Sequence, residues 1–193
     1  MIRKIPLLLL ITLLSISTSF AETFQVDPNH TQIHFSVKHM VVFTARGNFG
    51  DFSGSVQVDS KRKILISAEA TIQATSIDTG NSKRDNYLRS PDFFGIKQYP
   101  EIYFKSKKVT GSGDNITMVG DITIKGITKE IILKGSFSGT TLDPQGKLRA
   151  RFTATGMINH KDFKLMGDKP TMTDKLTIGE EVKIRLEIES VVQ

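Results

Sequence analysis

The chain has 193 residues, a formal net charge of +6 at pH 7 and no cysteine. The absence of cysteine excludes disulfides and thiol chemistry, so a fold of this length must depend on its hydrophobic core. The positive charge is small, and the lysine-rich clusters at 61–63 and 105–108 lack the interleaved aromatic residues that stack bases, so nucleic-acid binding is not expected.

The first 21 residues have the pattern of a secretory signal peptide. A basic head, Met1–Lys4, precedes the apolar run Ile5–Leu14, and Ser19-Phe20-Ala21 forms a small-x-small cleavage site. We therefore expect cleavage after Ala21 and export, to the periplasm in a bacterium with two membranes. Residues 22–193 are expected to form one domain, because no linker separates two hydrophobic stretches.

After this leader, apolar residues occupy every second position in eight segments, which is typical of half-buried strands. These segments are residues 31–39, 52–59, 64–75, 101–110, 115–125, 129–139, 147–159 and 181–191. Short connections rich in Gly, Asp, Asn and Pro join several of them as hairpins. The pattern predicts an all-β fold of eight antiparallel strands, either a barrel or a sandwich.

The alternation stops at residues 81–95, where aromatic and aliphatic side chains are concentrated. Ser90-Pro91-Asp92 offers an N-cap followed by proline at the first helical position. We expect two short helical turns here. They either cover one end of a barrel or form an ordinary packed crossover, and the sequence favours neither.

Many residues on the predicted apolar faces are small. They are Gly54, Ala68, Ala70, Ala74, Gly120, Ala150, Ala154 and Gly156. Protein interiors are close-packed, so faces this poor in bulk need large residues opposite them or a guest molecule. The inward assignment uses strand parity, which a single bulge reverses. The pattern favours an open lumen.

The residues offer little for metal binding or catalysis. His30, His34 and His39 are close in sequence, but strand parity separates His34 from His39, and no cysteine or carboxylate pair completes a metal site. There is no nucleophile elbow or glycine-rich phosphate loop. We expect no catalytic residue, metal or cofactor. An acid and base acting on a bound lipid, such as Asp85 with Asp92 or His39 with a nearby acid, stays open as an alternative.

Several spaced motifs, in order, resemble the YceI family of secreted, lipocalin-like proteins. The resemblance covers nearly all of the chain after the leader, and its motifs lie at residues 27–39, 47–49, 52–54, 75–79, 84–94, 99–100, 104–106, 120–129 and 162–163. It implies a lipocalin-like eight-stranded antiparallel barrel with a short helical insertion near residues 81–95. It also implies that the lumen holds a long isoprenoid or similar amphipathic lipid for transport, storage or sequestration, without catalysis.

On this basis we predict ligand-binding residues in the lumen and at its mouth. They are Phe35, Val37, His39, Phe49, Phe52, Arg84, Tyr87, Leu88, Phe93, Phe94, Phe104, Ile122, Phe152 and Ala154. Arg84 or Arg89 would either meet a phosphate head group or pair with Asp78, Asp85 or Asp92 to fix the loop. The resemblance also leaves open transient contact with a membrane surface and an isologous homodimer. Two alternatives to lipid carriage remain, an enzyme acting on the lipid and an interaction module with a packed core.

Overall fold

Strands dominate the part of the chain that our computed structural model describes, residues 21–39, 43–166 and 178–193. All of the predicted signal peptide except Ala21 lies outside these residues. The strands are β1 Glu22–Val26, β2 Gln32–His39, β3 Phe43–Phe49, β4 Phe52–Asp59, β5 Ile64–Gln73, β6 Ile77–Asp78, β7 Glu101–Ser112, β8 Asn115–Ile124, β9 Ile127–Leu142, β10 Leu148–Asn159 and β11 Ile178–Val192. The α-helix α1 spans Ser82–Arg89, and two 3₁₀ turns span Ala74–Ser76 and His160–Phe163.

Eight strands close into a barrel because β1 pairs with β4 on one side and with β11 on the other. The neighbours around the ring are β1, β4, β5, β7, β8, β9, β10 and β11, and every pairing is antiparallel. The predicted eight-stranded antiparallel barrel with a short helical insertion is therefore confirmed. Strands β2, β3 and β6 extend outward from β11, and we call these three strands the flap.

The flap was not predicted from the sequence. The predicted strand at residues 31–39 is β2, which pairs with β11 and β3 and lies outside the closed ring. Its place in the ring belongs to β1, whose five residues are too few for a clear alternation. Strand β3 was missed because the two central positions of its apolar face are the small residues Ala45 and Gly47, which weaken the alternation.

A break between β1 and β2 separates the barrel from the flap. Both strands pair with β11, and residues 27–31 interrupt them opposite Glu189. The buried hydroxyl of Thr31 accepts a hydrogen bond from the Glu189 N–H and donates one to the Glu189 carbonyl, each 3.0 Å long. The Thr31 hydroxyl therefore satisfies the backbone groups of Glu189 that have no strand partner at the break. As a result β11 can pair with β1 in the barrel and with β2 in the flap.

A bulge in β5 reverses part of the predicted inward face. We expected Ile64 and Ile66 to point inward with Ala68, but the register with β4 shifts between Gln57 and Val58. As a result Leu65 is 2% exposed and Ile66 is 38% exposed. The extra residue in one strand changes the parity on one side of the bulge.

One glycine on β9 is required by close backbone approach. A Cβ atom at Gly135 would lie 1.8 Å from the carbonyl oxygen of Thr153 on β10, whereas a Cβ at Gly50 would meet nothing within 4 Å. We expect Gly135→Ala to destabilise the protein by about 3 kcal/mol, at the upper end for overpacking, because two paired strands must move apart. Urea unfolding checks this against Gly50→Ala as the control. Equal midpoints for the two variants would contradict the expected clash.

None of the described residues belongs to a helix that is both long and apolar enough to cross a membrane.

Candidate functional site

One end of the barrel is packed and the space beyond it is open. At the packed end Phe24, Val58 and Leu65 are fully buried. Along β4 and β5 the paired residues change from Val58 and Leu65 to Val56 and Ala68, and this second pair lines a cavity of about 290 Å³. The residues at the packed end are not among those that line it. The cavity is therefore a lumen with a closed floor.

The cavity wall is almost wholly apolar and comes from three parts of the chain. The barrel supplies residues such as Met118, Ile122 and Phe152. The flap and the insertion then continue the wall beyond the barrel; their apolar contributions are Ile33, Phe35, Val37, Ala45, Phe49, Ile77, Tyr87, Leu88, Phe93 and Phe94. Such a surface suits an apolar ligand, because water gains few hydrogen bonds there.

A row of aromatic rings joins the insertion to the flap. Neighbouring ring centroids are 6.2 Å apart for Tyr87 and Phe93, 5.1 Å for Phe93 and Phe94, 6.1 Å for Phe94 and Phe49, and 5.6 Å for Phe49 and Phe35. These distances lie within the favourable range for tilted and edge-to-face pairs. The insertion therefore forms part of the cavity wall.

The insertion contains one α-helix where we expected two helical turns. The side chain of Asn81 caps the helix start by accepting a hydrogen bond from Arg84 N. Ser90 ends the helix, with its N–H donating to the Tyr87 carbonyl, so its predicted role as the N-cap of a second helix is wrong. The residues after Pro91 form turns, since Phe93 N donates back to Ser90 O.

Most of the predicted ligand-binding residues line this one cavity. They are Phe35, Val37, Phe49, Arg84, Tyr87, Leu88, Phe93, Phe94, Phe104, Ile122 and Phe152. Phe52 and Ala154 are buried but are not part of the cavity lining. His39 ends β2, and its side chain lies outside the described part of the structure. Ligand binding by these residues stays a prediction.

The two arginines of the insertion bind neutral partners in the loop formed by residues 75–79. Arg84 donates from Nε to the Thr79 hydroxyl at 2.7 Å and from a terminal nitrogen to the Thr79 carbonyl at 2.9 Å. Arg89 donates to the carbonyls of Thr75 and Ile77 at 2.8 and 2.6 Å. Neither arginine pairs with a carboxylate among the described residues, which corrects the expected pairing with Asp78, Asp85 or Asp92.

A buried carboxylate holds the same loop. Asp85 is 6% exposed, and its Oδ1 accepts hydrogen bonds from the Thr79 N–H at 3.0 Å and from the Thr79 hydroxyl at 2.5 Å. Thr79 therefore connects Arg84 and Asp85 without direct contact between the two charges. Because both of these hydrogen bonds to Asp85 Oδ1 come from Thr79, the geometry gives the carboxylate a structural role in this loop.

His30 and His34 each have a partner that is close in sequence. His30 contacts Asp27 and His34 contacts Gln32, at 2.8 and 2.9 Å. Within residues 21–39, 43–166 and 178–193, no three His, Cys, Asp or Glu side chains are grouped so that they could hold a metal ion.

His160 is one of the polar cavity residues that our sequence interpretation missed, together with His34, Glu69 and Thr79. It begins the 3₁₀ turn after β10, is only 3% exposed, and lines the cavity. Burial lowers the pKa of its imidazole from the ordinary 6.5, although a backbone contact with Leu165 partly offsets this effect. Strand parity was the available signal, because His160 continues the alternation of Ala150, Ala154 and Gly156, which we placed on the inward face.

The comparisons with known proteins agree with this fold. The YceI-like domain matches residues 24–190. Protein YceI of Escherichia coli O17:K52:H18 is 33% identical over 181 residues, which are 93% of this chain and 92% of that protein. The crystal structure of the Campylobacter jejuni YceI protein has a TM-score of 0.70 at 30% identity and covers 81% of this chain and 90% of that one.

A more distant solved structure shares the fold. It is a polyisoprenoid binding domain from Saccharophagus degradans that is implicated in plant cell wall breakdown. Its TM-score is 0.60 at 12% identity, and the match covers 90% of this chain and 100% of that one. The family match and the E. coli relative each span most of the sequence, so this chain belongs to the YceI-like domain family.

Proposed function

We propose that this protein holds a long isoprenoid or similar amphipathic lipid chain in its barrel lumen, for transport, storage or sequestration. The observation that carries the proposal is the apolar cavity, which extends from Val56 and Met118 inside the barrel to the flap and the insertion. The Saccharophagus degradans domain of the same fold, described as polyisoprenoid binding, supports the same ligand class. Fold alone does not fix function, so the ligand must be identified directly.

The energetics of burial favour a long chain. Each methylene group removed from water contributes about 0.8 kcal/mol. About ten buried methylenes would give about 8 kcal/mol, which corresponds to micromolar affinity before the costs of association are subtracted. Binding of this kind needs shape and apolar surface but no reactive group, so the proposed role includes no catalysis.

The proposal places the protein outside the cytoplasm. The leader at residues 1–21 supports export, and a periplasmic location would put the carrier between two membranes. Lipid would enter and leave during transient contact with a membrane surface. The aromatic row of the flap and the insertion offers a wall along which an apolar chain could slide.

The proposal is tested by native mass spectrometry of the exported protein after purification without detergent, followed by organic extraction of the bound material. We expect a stoichiometric long-chain lipid. Protein that is free of lipid and refuses added polyprenyl lipids would instead indicate an interaction module with a packed core. Recovery of a chemically altered lipid after incubation would indicate an enzyme.

A further inference from the structure

His160 is a buried polar side chain in a wall that is mostly apolar. It follows β10 directly, and the Asn159 side chain, which accepts a hydrogen bond from Lys161 N at 3.0 Å, fixes the turn that carries it. The lining residues beside it in sequence or on the paired strand are Ile158, Leu165 and Val182, all apolar. The imidazole is therefore shielded from water at a position that lines the lumen.

Within the described ranges, neither imidazole nitrogen makes a protein hydrogen bond of good geometry, although the backbone of Leu165 lies near the ring. Among the described residues, neither Nδ1 nor Nε2 of His160 makes a hydrogen bond, although the residue is only 3% exposed. The adjacent charges are engaged with each other, since Lys161 forms an ion pair with Glu180. Buried polar atoms in proteins are nearly always satisfied, so an unsatisfied imidazole inside a ligand cavity points to a ligand atom as its partner.

The protonation state of the imidazole restricts that partner. Burial lowers the pKa of His160, so the ring is neutral at pH 7 and has one N–H donor and one nitrogen acceptor. A carbonyl oxygen can accept from the N–H, and a hydroxyl can bind either nitrogen. A phosphate would prefer cations, but Arg84 is the one Lys or Arg among the described lining residues, and its side chain already binds Thr79.

We propose that the lipid carries an uncharged oxygen-bearing group, a hydroxyl or a carbonyl, which forms a hydrogen bond to His160 inside the cavity. This inference rests on the proposed lipid-binding function and names the chemical class of the ligand head group. It places the head group against the wall at the end of β10, away from the packed floor at Phe24.

The test compares three C15 isoprenoid probes by competition against a fluorescent fatty probe: farnesol, the hydrocarbon farnesane and farnesyl diphosphate. We expect the delipidated protein to bind farnesol at least ten-fold more tightly than farnesane, and more tightly than the diphosphate. The variant His160→Phe should lose this ten-fold preference by weakening farnesol binding while farnesane binding stays unchanged. His30→Phe, which removes an exposed imidazole that does not line the cavity, should keep the preference.

The outcomes separate this inference from the proposed function. Failure of all three probes to bind would overturn both. Equal binding of farnesol and farnesane, or a preference for the diphosphate, would overturn the role of His160 while lipid binding stands. If His160→Phe does not fold, His160→Gln retains a donor and an acceptor and should preserve the preference. The imidazole ¹⁵N shifts of the unmodified protein should change with farnesol and not with farnesane.

Discussion

Ala68→Phe is expected to reduce lipid binding at least ten-fold while leaving the fold intact. Ala68 lies on β5, 8% exposed, and lines the cavity near its floor. Six added ring carbons would occupy part of a space of about 290 Å³ that the ligand needs. Because the ring fills a void, the free energy of unfolding should change by less than about 1 kcal/mol. Lipid extracted per protein and the urea midpoint measure the two effects.

Ala154→Phe is the matched control for this prediction. Ala154 is 2% exposed and pairs with Gly135 and Leu186, but it is not among the residues that line the cavity. Inserting a ring there overpacks a filled region, which costs about 1 to 3 kcal/mol. Full lipid binding by Ala68→Phe would show that the ligand does not occupy this part of the lumen.

Arg149→Met is expected to lower the melting temperature more than any neighbouring charge change. The guanidinium contacts Asp27, Asp143 and Glu189 at 2.8, 2.9 and 2.9 Å. These carboxylates belong to the break before β2, the β9–β10 turn and β11, so one side chain ties together three elements. Removing it leaves three acidic groups close together without their shared cation.

The pH dependence of this effect has a defined sign. The Arg149 guanidinium, helped by His30 and the Asn29 N–H, lowers the pKa of Asp27 from 3.8 to about 2. Because the folded pKa lies below the unfolded pKa, the stabilisation is fully present above about pH 4 and is lost as the pH falls through about 2. The difference in stability between the unmodified protein and Arg149→Met should therefore shrink over this interval.

The size of the expected loss of stability follows from the lowered pKa of Asp27. The Asp27 side chain is 14% exposed, so its shift can be read as a stabilisation of at most about 2 kcal/mol. For a chain of this size that corresponds to about 4 to 8 °C in melting temperature. Arg151→Met serves as the control. It removes the same charge from an exposed side chain that lies two residues after Arg149. Identical melting curves for the two variants from pH 7 to pH 2 would contradict a role for the cluster.

Several features of the site follow from local sequence patterns. Alternation of apolar residues is a property of each strand, so it predicted an all-β fold, either a barrel or a sandwich. The choice of a barrel and the residues of its lumen came from the resemblance to the YceI family. The aromatic residues near Tyr87 and Phe94 likewise predicted an insertion that faces apolar surroundings, because so many rings cannot all remain in water. These predictions needed no knowledge of which strands pair.

The remaining features depend on contacts between distant parts of the chain. The bulge at Ile66 depends on its register with β4, and the Arg149 contact to Asp27 joins residues 122 positions apart. The roles of Arg84 and Arg89 were set by the carbonyls that a folded loop presented to them. The sequence by itself determined most of the strands, the all-β class and the apolar character of the inward faces. The tertiary structure decided the flap, the closed floor and the partners of Arg84, Arg89 and Arg149, because register, bulges and turns bring together groups that no local pattern relates.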